Sequence, residues 1–179
     1  MINSTETSKG TVVIRDASLA DAEQFRELRL FALKESPTAF SADYEVNASH
    51  SMSFWKGRLK PDNHGIIIFA EHENKLIGMT GIRKGDSSKT KHSAGIWGVY
   101  VRPEWRGLHI AEGLINMCFE WAKLRGVQIV KLAVVSTNES ALRLYERSGF
   151  TVYGTEPQGI FHEGEYYDEH WMSKSLDDT

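Results

Sequence analysis

The 179-residue sequence predicts a mixed α/β fold of the α+β type: one central mixed sheet of about six to seven strands with helices on both faces. Three observations predict it. Short β-branched runs alternate with segments whose apolar residues recur at helical spacing. A strand–helix–strand crossover spans Ser93 to Val135, which requires a parallel pair inside an otherwise antiparallel sheet. The chain has the length and the 41% hydrophobic content of one domain with a real core.

Met1 to Gly10 is polar and reads as a tail, giving a disordered segment over 1–9 and a domain over 10–177. Thr11–Arg15 is a β-branched strand. Ser18 caps a helix over Leu19–Lys34, with Asp21 in its first turn and Leu19, Ala22, Phe25, Leu28 and Ala32 on its buried stripe. Ser36-Pro37 stops it. A second helix is expected over Asn47–Leu59. Gly65–Glu71 and Lys75–Arg83 form a hairpin about His72-Glu73-Asn74. After a polar loop, Ser93–Val101 is a strand and Leu108–Arg125 a long helix, with Ile110, Leu114, Met117, Cys118, Trp121 and Leu124 on one stripe and Gly126 closing it. Val127–Val135 is a buried strand, Glu139–Ser148 a helix stopped by Gly149, and Phe150–Gly154 and Tyr166–Leu176 are strands joined by a loop over Glu156–Glu165.

Composition excludes several function classes. The formal charge of −3 gives no basic footprint for nucleic acid. One cysteine, Cys118, precludes an internal disulfide framework or a cysteine-based zinc cluster and suits a reducing cytoplasm. No apolar run has the roughly 20 residues of a membrane span, and the first residues lack the apolar core of a signal peptide. Gly-x-x-x-x-Gly-Lys-Ser/Thr does not occur, so the chain is not read as a P-loop nucleotide binder. The histidines show no metal-ligand spacing, and no metal is expected.

The stretch that carries function is Val99-Tyr100-Val101-Arg102-Pro103-Glu104-Trp105-Arg106-Gly107-Leu108-His109-Ile110-Ala111. A strand stops at a proline, a turn with Arg and Gly follows, and a helix starts. Helix N-termini offer unpaired N–H groups and the positive end of the helix dipole, so this order builds an anion site suited to a diphosphate. Gly107 permits close approach and positive φ, and Arg106 offers a forked donor. From spacing alone, an ordinary strand–helix turn with a surface arginine fits equally well.

Val-x-Pro-x-x-Arg-Gly-x-x-Ile-Ala resembles the acyl-CoA motif of the GCN5-related N-acetyltransferase family, usually Arg/Gln-x-x-Gly-x-Gly/Ala. Asn138-Glu139-Ser140-Ala141-Leu142-Arg143-Leu144-Tyr145-Glu146-Arg147-Ser148-Gly149-Phe150 resembles its Asn-x-x-Ala-x-x-Leu-Tyr-x-x-x-Gly-Phe block, in the family's order. Leu28 to Phe40 also resembles a bacterial branch of that family. The resemblance implies the acyl-CoA N-acyltransferase fold, acetyl-CoA as cosubstrate, a primary amine of a small molecule or protein as acceptor, and direct attack in a ternary complex. It also carries the family's common homodimer.

By that resemblance Val99, Tyr100 and Val101 lie along the pantetheine arm, and Arg106, Gly107, Leu108, His109, Ile110 and Ala111 surround the diphosphate. Asn138 contacts the arm, in competition with a helix N-cap role. Tyr145 is the acid that protonates the departing thiolate, in competition with plain packing beside Leu142. Arg143 and Arg147, one turn apart, are in reach of phosphates. One position departs: His109 stands where the family has its middle Gly. At positive φ a histidine there is strained; at helical φ it is tolerated and crowds the phosphates. The departure leaves open a second reading, a module that binds CoA or a metabolite without turnover.

The general base is not legible. His92, Glu45 and Asp168 qualify by residue type alone; His64, His72 and His162 fall in expected loops. Trp121 reads as core, Trp97 alternates with Val99 on one side of the sheet, and Trp105 covers the turn. Trp55 and the Glu156–Glu165 loop are assigned to the acceptor pocket. Glu163, Glu165, Asp168 and Glu169 form an acidic rim or a solvated hairpin.

Overall fold

A computed structural model describes residues 1–60 and 62–176. The elements run β1 (Ile2–Thr7), β2 (Gly10–Asp16), α1 (Ala22–Glu35), α2 (Tyr44–Ser49), α3 (Met52–Arg58), β3 (Gly65–His72), β4 (Lys75–Lys84), β5 (Ser93–Val101), α4 (Ile110–Lys123), β6 (Ile129–Val135), α5 (Glu139–Arg147), β7 (Thr151–His162) and β8 (Glu165–Ser175), with 3₁₀ turns at Leu19–Asp21, Pro37–Ala39 and Pro103–Trp105. One eight-stranded sheet has the order β1-β2-β3-β4-β5-β6-β8-β7. Every neighbouring pair is antiparallel except β5–β6, the crossover pair.

Helices cover both faces, as the alternating patterns require. α4 lays Ile110, Leu114, Met117, Cys118 and Trp121 on a core with Val12, Ile14, Ile68, Ile82 and Ile96. On the opposite face α1 and α3 contribute Phe25, Leu28, Ala32 and Trp55, which pack on Ile67, Phe69, Met79 and Tyr100. Alternate residues of one strand therefore feed two cores, as the pleat dictates.

Four expectations are corrected. Residues 2–7 of the expected tail form a strand that pairs with β2 over its whole length, and the N-terminal amine meets Asp16 at 2.6 Å. This edge strand is polar and exposed, so no burial pattern marks it. The expected helix over 47–59 is two helices, because Asp43 accepts the Val46 N–H and Ser51 accepts the Phe54 N–H: two N-caps start two helices. The expected 156–165 loop is mostly strand. β7 and β8 continue to a two-residue turn at Glu163-Gly164, both at positive φ, and the irregularity at Pro157 and Gly159 is a register shift in an edge strand. Leu19 and Leu124 leave their stripes, at 49% and 75% exposure, because each lies just outside its helix.

Candidate active site

β5 and β6 pair only through Ser93↔Ile129, Ala94↔Val130 and Gly95↔Lys131 and then diverge. The cause lies in β5. Two residues, Gly98 and Val99, stand opposite Thr80 alone between the pairs Gly81↔Trp97 and Met79↔Tyr100. Gly98 takes φ +67°, the conformation that a bulge of this kind requires and that glycine adopts without a Cβ penalty. The bulge bends β5 and leaves Val99–Val101 without a strand partner on the β6 side. It also breaks the expected alternation: Trp97 packs with the α1–α3 core and Val99 with the α4 core.

The gap is the mouth of a cleft of about 460 Å³. Its walls hold Val99, Tyr100 and Val101 from β5, Arg106, Gly107, His109, Ile110 and Ala111 from the turn and α4, and Asn138 and Tyr145 from α5. Of the residues assigned to the site from sequence, Leu108 alone is absent from the walls; it packs against the α4 core. Ser36, Ala39 and Phe40 close the other side.

His109 decides between its two conformations. It is the N-cap of α4 at φ 59°, ψ 15°, in the left-handed region, and makes no side-chain cap hydrogen bond. Asn, Asp and His are the non-glycine residues most tolerated there, and a cost of about 1 kcal/mol remains. No side chain caps the α4 N-terminus at this residue. Its imidazole turns instead to Glu112, which also accepts from Arg147 at 3.0 and 3.3 Å. The His109 hydrogen bond and the Arg147 guanidinium hold the Glu112 carboxyl below its ordinary range, so the acid at this helix start has a partner on each side.

Two arginines depart from their expected roles. Arg106 grips the Glu35 carboxylate at the end of α1 through Nη1 at 3.2 Å and Nη2 at 2.7 Å, and its Nε donates to the Val101 carbonyl at 3.0 Å. The fork offered to phosphate is thus engaged in tying the turn to α1, and what the turn presents is backbone. Arg143 pairs with Glu139 one turn away at 3.0 Å, a solvated helix-surface pair.

Tyr145 is buried at 7% exposure, with an edge-to-face contact to Phe150 at 6.0 Å. Burial, then the nearby Cys118 thiol, pushes its phenol above the ordinary value, so it stays protonated. Asn138 Oδ1 caps α5 by accepting from Ala141 N at 3.2 Å. The cap uses the carbonyl oxygen and leaves the amide NH₂ as a donor on the cleft wall.

His92, Glu45 and Asp168 are not among the cleft walls. Asp168 accepts the Gln158 N–H inside the β7–β8 hairpin at 2.8 Å, and Glu163 and Glu165 sit at or beside its tip, so the acidic cluster is a solvated hairpin. Trp55 is wholly buried against Phe25 and is not among the walls of this cleft, whereas Trp105 is. Arg29 was missed. It is 6% exposed on α1, four residues after Phe25 and three before Ala32, and that spacing on an apolar stripe was the available signal. Among the described residues no group of three or more His, Cys, Asp or Glu could hold a metal ion, and no helix is long and apolar enough to cross a membrane.

The model of the acetyltransferase (GNAT) family matches residues 25–150. The chain belongs to that family. An uncharacterized N-acetyltransferase of Methanocaldococcus jannaschii is 30% identical over 142 residues, covering 78% of this chain; the chain spans 61% of that relative's length. The L-amino acid N-acetyltransferase AaaT of Escherichia coli is 27% identical, over 91% of this chain and 97% of its own. A putative acetyltransferase from Salmonella typhimurium, solved with its cofactor acetyl-CoA, superposes at a TM-score of 0.76 with 20% identity, over 99% of this chain and 96% of that one. Membership of the family makes this chain a GNAT-family acetyltransferase.

Proposed function

We propose that the splayed cleft binds acetyl-CoA along β5 and the α4 N-terminus, and that the protein passes the acetyl group to a primary amine by direct attack within a ternary complex. The observation that carries this reading is the loss of β5–β6 pairing after Gly95, which leaves backbone free to pair with an extended arm as an added strand would. Fit is supported by the uncapped start of α4, whose N–H groups suit a diphosphate.

The chain's own groups then divide the chemistry. Val99–Val101 supply main-chain contacts to the arm, and a backbone N–H there stabilises charge developing on the thioester oxygen. Gly107, Ile110 and Ala111 offer the turn and first helical amides. Arg147 pairs with Glu112 and His109 hydrogen-bonds it, so that an anion does not meet an unpaired carboxylate. Asn138 donates from its amide NH₂. Tyr145 protonates the departing thiolate. A phenol raised above 10 is a weaker acid than a thiol in water. The cleft that desolvates the phenol desolvates the thiolate too, and raises the proton affinity of both. Among the described residues the histidine and carboxylate on the walls, His109 and Glu112, bond each other at the α4 start, and we assign the ammonium's proton to water. The reducing cytoplasm suits the one, buried cysteine.

The test is a calorimetric titration with acetyl-CoA, followed by thiol release over a panel of amines that starts with amino acids, the acceptor class in the E. coli relative's name. Saturable binding and release with at least one amine are expected. Binding without release on any amine supports the module without turnover, and no binding refutes both.

A further inference from the structure

Behind the second wall of the cleft lies a buried charge without a counter-ion. Arg29 on α1 is 6% exposed, and its Nε and Nη1 have neither solvent nor a hydrogen-bond partner. Its guanidinium lies 4.6 Å over the Phe40 ring, and Nη1 is within 3.4 Å of where a Cβ on Gly98 would stand. Both contacts bear on the site. Phe40 lines the cleft, and Gly98 is the bulge residue immediately before Val99. A second cation stands nearby. Arg58 on α3 is half-buried and lies 4.9 Å over the Trp97 ring. Among the described residues, no carboxylate forms an ion pair with either arginine.

Burying an unpaired guanidinium is unfavourable unless a counter-ion meets it. Burial, and after it the neighbouring Arg58, lowers the Arg29 pKa only to about 10, so the group remains charged at neutral pH. Three other arginines meet carboxylates: Arg15 with Asp21 and Glu71, Arg106 with Glu35, Arg147 with Glu112. Arg29 differs in having two buried donors without a partner, directly behind the Phe40 ring that lines the cleft. Two cations and aromatic rings, with no acid, form a receptor for an anion carried on a small organic body. A planar guanidinium matches a carboxylate through two parallel N–H donors.

We infer that Arg29, backed by Arg58 and covered by the half-buried Phe40, is the subsite for the carboxylate of the acceptor, so that the acetylated amine belongs to an amino acid. The inference rests on the acetyltransferase reading for the identity of the reaction, but the subsite stands on its own geometry. Gripping the carboxylate fixes the adjacent amine near the β5 bulge, a positioning contribution to attack. The Phe40 ring is the group that moves as the carboxylate docks.

The experiment compares the proteinogenic L-amino acids with their C-terminal amides, by thiol release and by calorimetry in the presence of CoA, on the wild type, Arg29→Gln and Arg29→Lys. The wild type is expected to favour acid over amide in kcat/KM and in affinity. Arg29→Gln is expected to lose about thirtyfold or more of the kcat/KM for the acid, mainly through KM, with the amide little changed and acetyl-CoA affinity intact. Arg29→Lys keeps the charge without the fork and retains part of the preference. Equal use of acid and amide by the wild type overturns the inference, whatever the variants do. So does a preference that survives in folded Arg29→Gln. Amide turnover with no acid preference leaves acetyl transfer standing and removes the subsite. Acid binding lost in Arg29→Gln, without thiol release anywhere, supports the subsite and removes acetyl transfer.

Discussion

The two walls of the cleft are built differently. The wall proposed for acetyl-CoA comes from two nearly contiguous stretches, Val99–Glu112 and Asn138–Arg147, and its functional groups are mostly main-chain amides exposed by a bulge and a helix start. The opposite wall comes from Ser36, Ala39 and Phe40, with Arg29 behind them, brought to the β5 bulge by the packing of α1 on the sheet. A backbone site needs a particular local conformation, and local conformation is written in short motifs. A side-chain site needs only a long-range meeting of residues, which no short motif records.

The largest effect expected on this contrast is at Tyr145. Tyr145→Phe removes one hydroxyl from the first wall and should lower kcat by about 10²–10³ while leaving acetyl-CoA affinity within a few fold, measured by steady-state thiol release and calorimetry. An unchanged kcat would reduce Tyr145 to a packing residue beside Phe150.

The same contrast explains what was legible. Gly107 and Gly126 sit at positive φ, Ser93–Val101 has the bounds its pattern gives, and α4 buries the stripe read from Ile110 to Trp121. Gly98 carries a signal of its own, since an isolated glycine in a strand marks a bulge. At Arg106 the motif position fixes the backbone, whereas the side-chain partner, Glu35, lies 71 residues away in sequence and is not legible from the motif. Strand β1 and the middle of β7 escaped because exposed edge strands bury neither face and so show no period. Trp55 escaped because whether a helix tryptophan faces a pocket or a core depends on α1, which supplies Phe25 against it.

Next in size is the turn. Gly107→Val places a β-branched side chain at φ 78° and should cost about 1–2 kcal/mol of stability in urea unfolding, with acetyl-CoA affinity falling about tenfold. Full affinity in the folded variant would show that the turn's backbone does not touch the ligand. His109→Gly works in the other direction. It releases the left-handed histidine at the loss of its Glu112 contact, and a net gain of under about 1 kcal/mol is expected, again in urea. A loss would show that the His109–Glu112–Arg147 cluster outweighs the backbone strain.

The smallest effect lies where the two walls are tied. The Arg106 hydrogen bond holds the Glu35 carboxyl below its ordinary range, ahead of the opposing effect of burial. A carboxyl lowered in the folded state stabilises fully above its unfolded pKa of about 4.3 and loses that contribution as pH falls through the lowered folded value. Glu35→Gln should therefore cost less than about 1 kcal/mol at pH 7, and the gap to the wild type should close well below pH 4.3. A gap that persists at low pH would mean that the Arg106–Glu35 charge pair is not its source.

The central claim is that acetyl-CoA lies on backbone opened by the β5–β6 splay. Amide chemical-shift mapping by ¹H–¹⁵N NMR during an acetyl-CoA titration tests it most directly. The account predicts that the largest shifts fall on Val99–Val101 and on Gly107–Glu112. Saturable binding that leaves those amides unmoved, or no binding at all, would contradict it.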